Sequence, residues 1–180
     1  ETNFRRAKVI VINKMDTASK EQVDIVMANI KNLNPKAVVI RANSKITVDN
    51  GGAIAGKRVL VIEDGPTLTH GGMKFGAGIV AAQKYGAAEI IDPRPFAVGS
   101  IKKTFEKYSH LDRVLPAMGY GEKQTKELEE TIDRIDCDLI VSGTPIDLKR
   151  VITPNKKMLR VRYELEEIGS PTLKDVLKAF

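Results

Sequence analysis

The amino-acid sequence predicts an α/β protein whose mostly parallel sheet has helices on both faces. Short runs of Val, Ile and Leu alternate along the chain with longer segments in which apolar residues recur at helical spacing. The short runs are apolar almost throughout, which is typical of parallel strands that are buried on both faces. Repeated strand–helix units of this kind favour a parallel sheet that is covered on both sides.

The predicted elements follow one another in a regular order. Strands are predicted at 8–13, 37–41, 58–63, 88–91, 112–115 and 138–142, with an edge strand at 158–164. Helices are predicted at about 17–31, 73–85, 100–108 and 122–135. A last helix is predicted to begin with Ser170 as its N-cap and Pro171 as its first residue. This order predicts a Rossmann-like or P-loop-NTPase-like fold.

Composition limits the possible functions. The hydrophobic fraction of 42% and the charged fraction of 29% are typical of a globular protein, and Cys137 is the only cysteine, which fits a reducing, cytoplasmic compartment. The formal charge is +6, but the basic residues are scattered and only 5% of residues are aromatic. We therefore expect a small phosphorylated metabolite as the partner, rather than nucleic acid or a membrane, and a homo-oligomeric protein.

An N-K-x-D motif, Asn13-Lys14-Met15-Asp16, follows the first strand directly. In this motif the Asp accepts hydrogen bonds from the N1/N2 edge of guanine, the Asn binds another edge and the Lys stem lies along the ring. Asn43 and Ser44 follow the next strand, where a second base-contacting loop is expected. The alternative interpretation is a strand–helix turn in which the Asp only caps a helix.

The stretch VIEDGPTLTHGGMKFGAG, residues 61–78, follows the third strand and predicts a phosphate site. Paired glycines allow backbone N–H groups to approach a ligand, Thr hydroxyls donate to phosphate oxygens, and a helix start near Met73 supplies partial positive charge. The residues assigned to this site are Asp64, Thr67, Thr69, His70, Gly71 and Gly72. Glu63 and Asp64 are assigned to a Mg²⁺ ion that accompanies the phosphate. The alternative is a flexible Gly-rich turn.

Further candidate residues lie after the other strands, because ligands of open α/β sheets bind beyond the carboxyl ends of the strands. Asp92 and Arg94 lie in a proline-stiffened loop, and Thr144 and Arg150 follow the last central strand. Surface salt bridges explain the charged residues equally well. No single residue is assigned as catalytic, and no G-x-x-x-x-G-K-[ST] phosphate loop occurs in the 180 residues.

Five stretches occur together in a distinctive order: INKMDTA, IEDGPTLTHGGMKFGAG, EIIDPRPFAVGSI, LPAMGYG and VSGTPIDLKRVI. In this order they resemble the archaeal predicted-GTPase family that includes cyclic 2,3-diphosphoglycerate synthetase. The resemblance implies a C-terminal portion of an enzyme that uses ATP to close 2,3-diphosphoglycerate into an intramolecular phosphoanhydride, releasing ADP and phosphate. It also implies that the phosphate loop and the Mg²⁺ ligands lie in an N-terminal part.

The polar, Gly-rich residues 42–57 predict a linker. We accordingly predict that residues 1–50 are the end of a nucleotide-binding, GTPase-like unit, and that residues 51–180 are an α/β portion that binds a phosphorylated ligand. Three functions stay open: a synthetase that uses ATP or GTP with Mg²⁺, a GTPase or GTP-binding protein, and a non-catalytic anion-binding module.

Overall fold

A computed structural model of the chain describes residues 1–178. The strands are β1 Val9–Ile12, β2 Val38–Val48, β3 Arg58–Asp64, β4 Glu89–Ile90, β5 Leu115–Ala117, β6 Leu139–Ser142 and β7 Met158–Ile168. The α-helices are α1 Thr2–Arg6, α2 Lys20–Leu33, α3 Gly65–Gly71, α4 Ala77–Lys84, α5 Gly99–Lys107, α6 Glu122–Arg134 and α7 Leu173–Leu177. Short 3₁₀ helices lie at Gly51–Ile54, Arg94–Phe96 and Leu148–Arg150.

The chain forms two compact units. The first unit contains Glu1–Lys45 and the chain from Tyr163 onward, and the second contains Ile46–Arg162. The division by function into residues 1–50 and 51–180 stays a prediction. Within residues 1–178, no helix combines the length and the hydrophobicity of a transmembrane segment.

The second unit is built around β3. This strand pairs in parallel with β6 along most of its length, with β4 at its first residues and with β5 at its last residues. Strand β7 continues the sheet in parallel beyond β6. All four pairings run in the same direction, so the carboxyl ends of these strands lie at one edge of the sheet.

The core of the second unit occupies both faces of β3. Val59 and Val61 belong to one buried cluster, which also contains side chains of α4, whereas Leu60 and Ile62 belong to another with side chains of α5 and α6. Alternate residues of a strand point to opposite faces of a sheet, so helices cover both faces here. The prediction of a mixed α/β fold with mostly parallel strands is confirmed.

In the first unit, β1 pairs in parallel with β2, with Val9 opposite Val38 and Ile12 opposite Arg41. Strand β2 has β1 on one side and β7 on the other. Helix α2 begins with a capping box in which Ser19 Oγ accepts the Gln22 N–H and the Gln22 side chain accepts the Ser19 N–H. Of the two predicted caps, Thr17 and Ser19, the structure has Ser19.

Several predicted boundaries are wrong for identifiable reasons. Residues 42–57 are not a linker, because β2 continues to Val48 and a 3₁₀ helix follows at Gly51–Ile54. The N-cap of the last helix is Thr172 and not Ser170, since the Thr172 hydroxyl and the Asp175 carboxylate form a reciprocal capping box. The strand predicted at 112–115 is Leu115–Ala117.

The predicted helix 73–85 also begins in the wrong place. Only α4, which begins at Ala77, lies within this range; it is preceded by α3, which Asp64 caps and which has Pro66 in its first turn. Gly72 ends α3 with a φ of 62°, in the left-handed region that glycine adopts without strain. The Asp64-Gly65-Pro66 sequence starts α3, and the Gly-Gly pair ends it. The Gly-Gly pair is therefore not a phosphate loop before a helix.

Candidate functional site

The N-K-x-D residues of the first unit form a tight turn that contacts β2. Asn13 Oδ1 accepts the backbone N–H of Lys14 at 2.8 Å, and the Met15 N–H donates to the Ala42 carbonyl at 3.1 Å. Lys14 has a φ of 62°, which is uncommon for a residue with a Cβ and stores backbone strain. The side chains of Asn13, Lys14 and Asp16 are exposed. The turn therefore presents three polar side chains to a ligand.

The structure brings this turn together with the second predicted base-contacting segment. Asp16 Oδ1 accepts the backbone N–H of Ser44 at 3.4 Å. Asn43 and Ser44 are half-buried and lie inside β2, not in a loop. Base recognition by these five residues stays a prediction.

The carboxyl ends of β3, β5 and β6 form a polar cluster in the second unit. Glu63 and Asp64 end β3, and Gly143, which follows β6, donates its N–H to the Ile62 carbonyl at 2.8 Å. Tyr120, beyond β5, is 39% exposed. Burial raises the pKa of its phenol, and the nearby Asp64 carboxylate raises it further. Asp64 and Tyr120 thus belong to one partly open surface.

Glu63 is the buried centre of this region. Its side chain is 3% exposed, and Oε1 accepts the N–H groups of Gly78 at 2.7 Å and Ile79 at 3.1 Å. These donors are the first amides of α4, so the carboxylate lies where a bound anion would lie at a helix start. Burial raises the pKa of Glu63 to about 7, partly offset by the backbone hydrogen bonds.

Three glycines make room for the Glu63 carboxylate. A Cβ at Gly76 or Gly78 would lie within 3.0 Å of a Glu63 carboxylate oxygen, and a Cβ at Gly143 would contact the same group. Real Cβ atoms do not approach so closely, so a side chain at these positions would displace the carboxylate or the backbone. The carboxylate therefore joins the end of β3 to the start of α4 and to the loop after β6.

The residues of the predicted phosphate loop lie on α3. Asp64 Oδ2 accepts the Thr67 N–H at 3.2 Å and the Thr67 hydroxyl at 2.6 Å, and the Thr69 hydroxyl donates to the Gly65 carbonyl at 2.9 Å. His70 Nδ1 lies 3.3 Å from the Pro66 carbonyl. The glycines Gly71 and Gly72 are at the carboxyl end of this helix, where its dipole is negative. Phosphate binding by these residues stays a prediction. The helix start near Met73 that was expected to supply partial positive charge is absent, because α4 begins at Ala77.

Asp92 and Arg94 bind each other. The Arg94 guanidinium donates to both Asp92 oxygens, with Nη2 at 2.6 Å from Oδ2, and also reaches Asp112 Oδ1 at 3.2 Å. The Arg94 guanidinium lowers the pKa of Asp92 below its usual value. This cluster is the salt bridge that the sequence left as an alternative to ligand binding.

The loop after β6 is ordered by its own hydroxyls. Thr144 is buried, and its Oγ1 donates to the Ile146 carbonyl at 2.8 Å and lies 3.0 Å from Ser142 Oγ. Asp147 caps the 3₁₀ helix that ends at the exposed Arg150, and it lies 3.9 Å from Arg160. Thr144 therefore has a role in loop geometry whether or not it also contacts a ligand.

Arg160 was not among the site residues predicted from the sequence. It lies on β7 opposite Ser142, and its Nη2 donates to the Pro145 carbonyl at 2.6 Å. Its Nε is buried without a hydrogen-bond partner in the part of the chain that the structure describes. An arginine among the buried apolar residues Met158, Leu159 and Val161 of the first half of β7 was the available signal.

The predicted Mg²⁺ ligands differ in availability. The Glu63 carboxylate is buried and faces α4, whereas Asp64 is half-buried. Within residues 1–178, no group of three or more His, Cys, Asp or Glu side chains is placed to hold a metal ion. The assignment of Mg²⁺ to these two residues stays a prediction.

Comparison with known proteins identifies a relative of this chain. No protein-family model matches the sequence. Over 178 residues the chain is 64% identical to the curated protein arginine synthetase ArcE of Thermococcus kodakarensis. The match covers 99% of this chain and 40% of the relative, so the chain spans about two fifths of that protein's length.

The chain is thus a relative of an archaeal synthetase. The expectation of an archaeal enzyme of the synthetase kind is confirmed in this coarse form, but the predicted function, cyclic 2,3-diphosphoglycerate synthesis, is wrong. The relative is named for the synthesis of arginine, and its name mentions neither GTPase activity nor a nucleotide. The motifs that carried the resemblance therefore do not specify the substrate.

Proposed function

We propose that this chain is part of a nucleotide-dependent ligase that forms arginine. The observation that carries the proposal is the 64% identity to arginine synthetase ArcE over 99% of the chain. The match covers 99% of the chain, so it spans the segments of both units that hold the N-K-x-D turn and the polar cluster around Asp64.

Cleavage of the nucleotide supplies the driving force for bond formation. ATP is the usual nucleotide of ligases, and Mg²⁺ binds to its phosphates. Mg²⁺ commonly takes one or two protein carboxylates and completes its shell with phosphate oxygens and water. The exposed, strained turn at Asn13, Lys14 and Asp16 supports contact with the base of the nucleotide.

Asp64 is our candidate for contact with the guanidinium of arginine. It lies at the carboxyl end of β3, is half-buried, and shares its surface with Tyr120. Guanidinium groups bind carboxylates through paired, charge-assisted hydrogen bonds. The second unit uses the same chemistry internally, since Arg94 donates to both oxygens of Asp92.

Calorimetric titration of the complete protein with L-arginine, in the presence of Mg²⁺ and ADP, tests this proposal. L-Lysine is the ligand control, because it lacks the guanidinium. Asp64→Asn removes the charge yet keeps a residue that caps helices well, so α3 should persist. We expect this variant to bind arginine about 10- to 100-fold more weakly, which corresponds to one lost charge-assisted interaction.

Asp138→Asn is the matched control variant. The Asp138 carboxylate accepts the Arg58 N–H at 2.8 Å at the amino end of the strands, opposite the candidate site, so its loss should leave arginine affinity unchanged. Equal affinity in wild type and Asp64→Asn would refute the role of Asp64 alone. A wild-type protein that binds arginine no better than lysine would contradict the proposed ligase.

A further inference from the structure

The first unit leaves an apolar strand open at one edge. Strand β1 is the last strand of the sheet on its side, and its four residues are Val9, Ile10, Val11 and Ile12. The Val38 N–H donates to the Lys8 carbonyl. Because backbone groups alternate in direction along a strand, the N–H and C=O groups of Ile10 and Ile12 also point to β2. The N–H and C=O groups of Val9 and Val11 therefore point to the open edge.

Apart from its short length of four residues, β1 has no feature that protects this edge. Natural edge strands usually carry a charge, a proline or a bulge that prevents pairing with another strand. Strand β1 carries none of these and is apolar throughout, as strands in the interior of a parallel sheet are. Side chains near this edge are also accessible to solvent: Val11 is 39% exposed, and Val38 of β2, which pairs with Val9, is 38% exposed.

The first unit is also poor in buried hydrophobic residues. Among the described residues of this unit, the buried hydrophobic side chains are Ile12, Ile30, Ile40 and Ala42. The outer side of α2 exposes Ile25 at 54% and Val26 at 40%. A unit of about 60 residues with so few buried hydrophobic side chains is marginal on its own, so further apolar contacts would stabilise it.

We propose that a β-strand of further synthetase polypeptide binds the β1 surface. The β1 surface is the open edge at Val9 and Val11 together with the Val11 and Val38 side chains. The relative supplies a source for that strand, because about three fifths of its length lies outside the matched region. The edge then becomes an interior position of a longer sheet, and the exposed valines become buried.

A second copy of the same chain fits this surface less well. Two four-residue edges paired with each other would bury little area, well below the roughly 1,000 Å² of a stable interface. A strand from a larger polypeptide brings its own flanking elements, which can cover the exposed valines and the outer side of α2.

Hydrogen exchange on the complete source protein, compared with the 180-residue chain, tests the proposal. We expect the Val9 and Val11 amides to exchange at least about tenfold more slowly in the complete protein, because they are then hydrogen-bonded. Ile10 and Ile12 provide the internal control, since their amides face β2 in both proteins. Equal exchange at Val9 and Val11 in both proteins would overturn the proposal.

Substitutions in the complete protein provide an independent test. Val11→Asp should lower Tm by several degrees, because it would place a charge in a buried interface. Val151→Asp is the matched control: Val151 is 37% exposed on the second unit, so its substitution should leave Tm nearly unchanged. Equal Tm values for both variants, or concentration-dependent dimers that Val11→Asp abolishes, would contradict the proposed occupant.

Discussion

Replacing Glu63 by Gln should remove a large pH dependence from the stability of the protein. Burial raises the pKa of Glu63 to about 7 in the folded chain, against an ordinary value of 4.5. A carboxyl group with a raised pKa holds its proton more tightly in the folded state. Its contribution to stability is therefore fully present below pH 4.5 and is lost as the pH rises through about 7. The pKa difference corresponds to about 3 kcal/mol.

The assay is urea denaturation of wild type and Glu63→Gln at pH 5, 6, 7 and 8. The difference in free energy of unfolding between the two proteins cancels the titration of all other groups. We expect wild type to lose about 2.5 kcal/mol relative to the variant between pH 5 and pH 8, since part of the effect is already lost at pH 5. Glu106→Gln, on an exposed position of α5, should show no such trend. Parallel pH profiles for wild type and Glu63→Gln would refute the assignment of a raised pKa to this buried carboxyl.

Three further predictions concern other parts of the structure. Gly143→Ala places a methyl group against the Glu63 carboxylate and should cost about 1–3 kcal/mol of unfolding free energy, whereas Gly52→Ala enters open space and should change stability by less than about 0.5 kcal/mol. Ser19→Ala removes the N-cap of α2 and should cost about 1 kcal/mol, measured by urea denaturation followed by circular dichroism. Asp16→Ala should weaken GTP binding about 10- to 100-fold and leave ATP binding unchanged if the turn recognises guanine; equal small losses would reduce Asp16 to a structural residue of the turn.

The strands and most helices were predictable because their signals are local. The run VLVI of β3 is apolar at every position, and each of its residues is buried between helices, as a parallel strand requires. The capping residue Ser19 was likewise visible in the sequence. The start of α3 was missed because the Gly-Gly pair that follows it dominated the interpretation, although Asp64 and Pro66 together are a helix-start signal.

The role of Glu63 was not predictable from its neighbours in sequence. Glu63 and Asp64 are adjacent acidic residues, and such a pair suggests a metal site when only the strand end is known. The structure separates them: Glu63 faces the amides of α4, 15 and 16 residues further along the chain, while Asp64 caps α3. Which of two neighbouring carboxylates becomes buried depends on alternation along the strand and on glycines that lie far away in sequence.

The central claim is that the protein is an arginine-forming ligase. Arginine-dependent formation of nucleoside triphosphate tests it most directly. A synthetase also runs in reverse, so the complete protein, supplied with Mg²⁺, L-arginine, ADP and phosphate, should cleave in arginine the bond that the forward reaction forms and join ADP to phosphate as ATP, at a rate that depends on arginine. The same measurement with AMP and pyrophosphate, and with guanine nucleotides, identifies the nucleotide and the bond that is cleaved. We predict formation of nucleoside triphosphate with arginine but not with lysine. Absence of arginine-dependent formation with every one of these nucleotide pairs would contradict the proposed ligase.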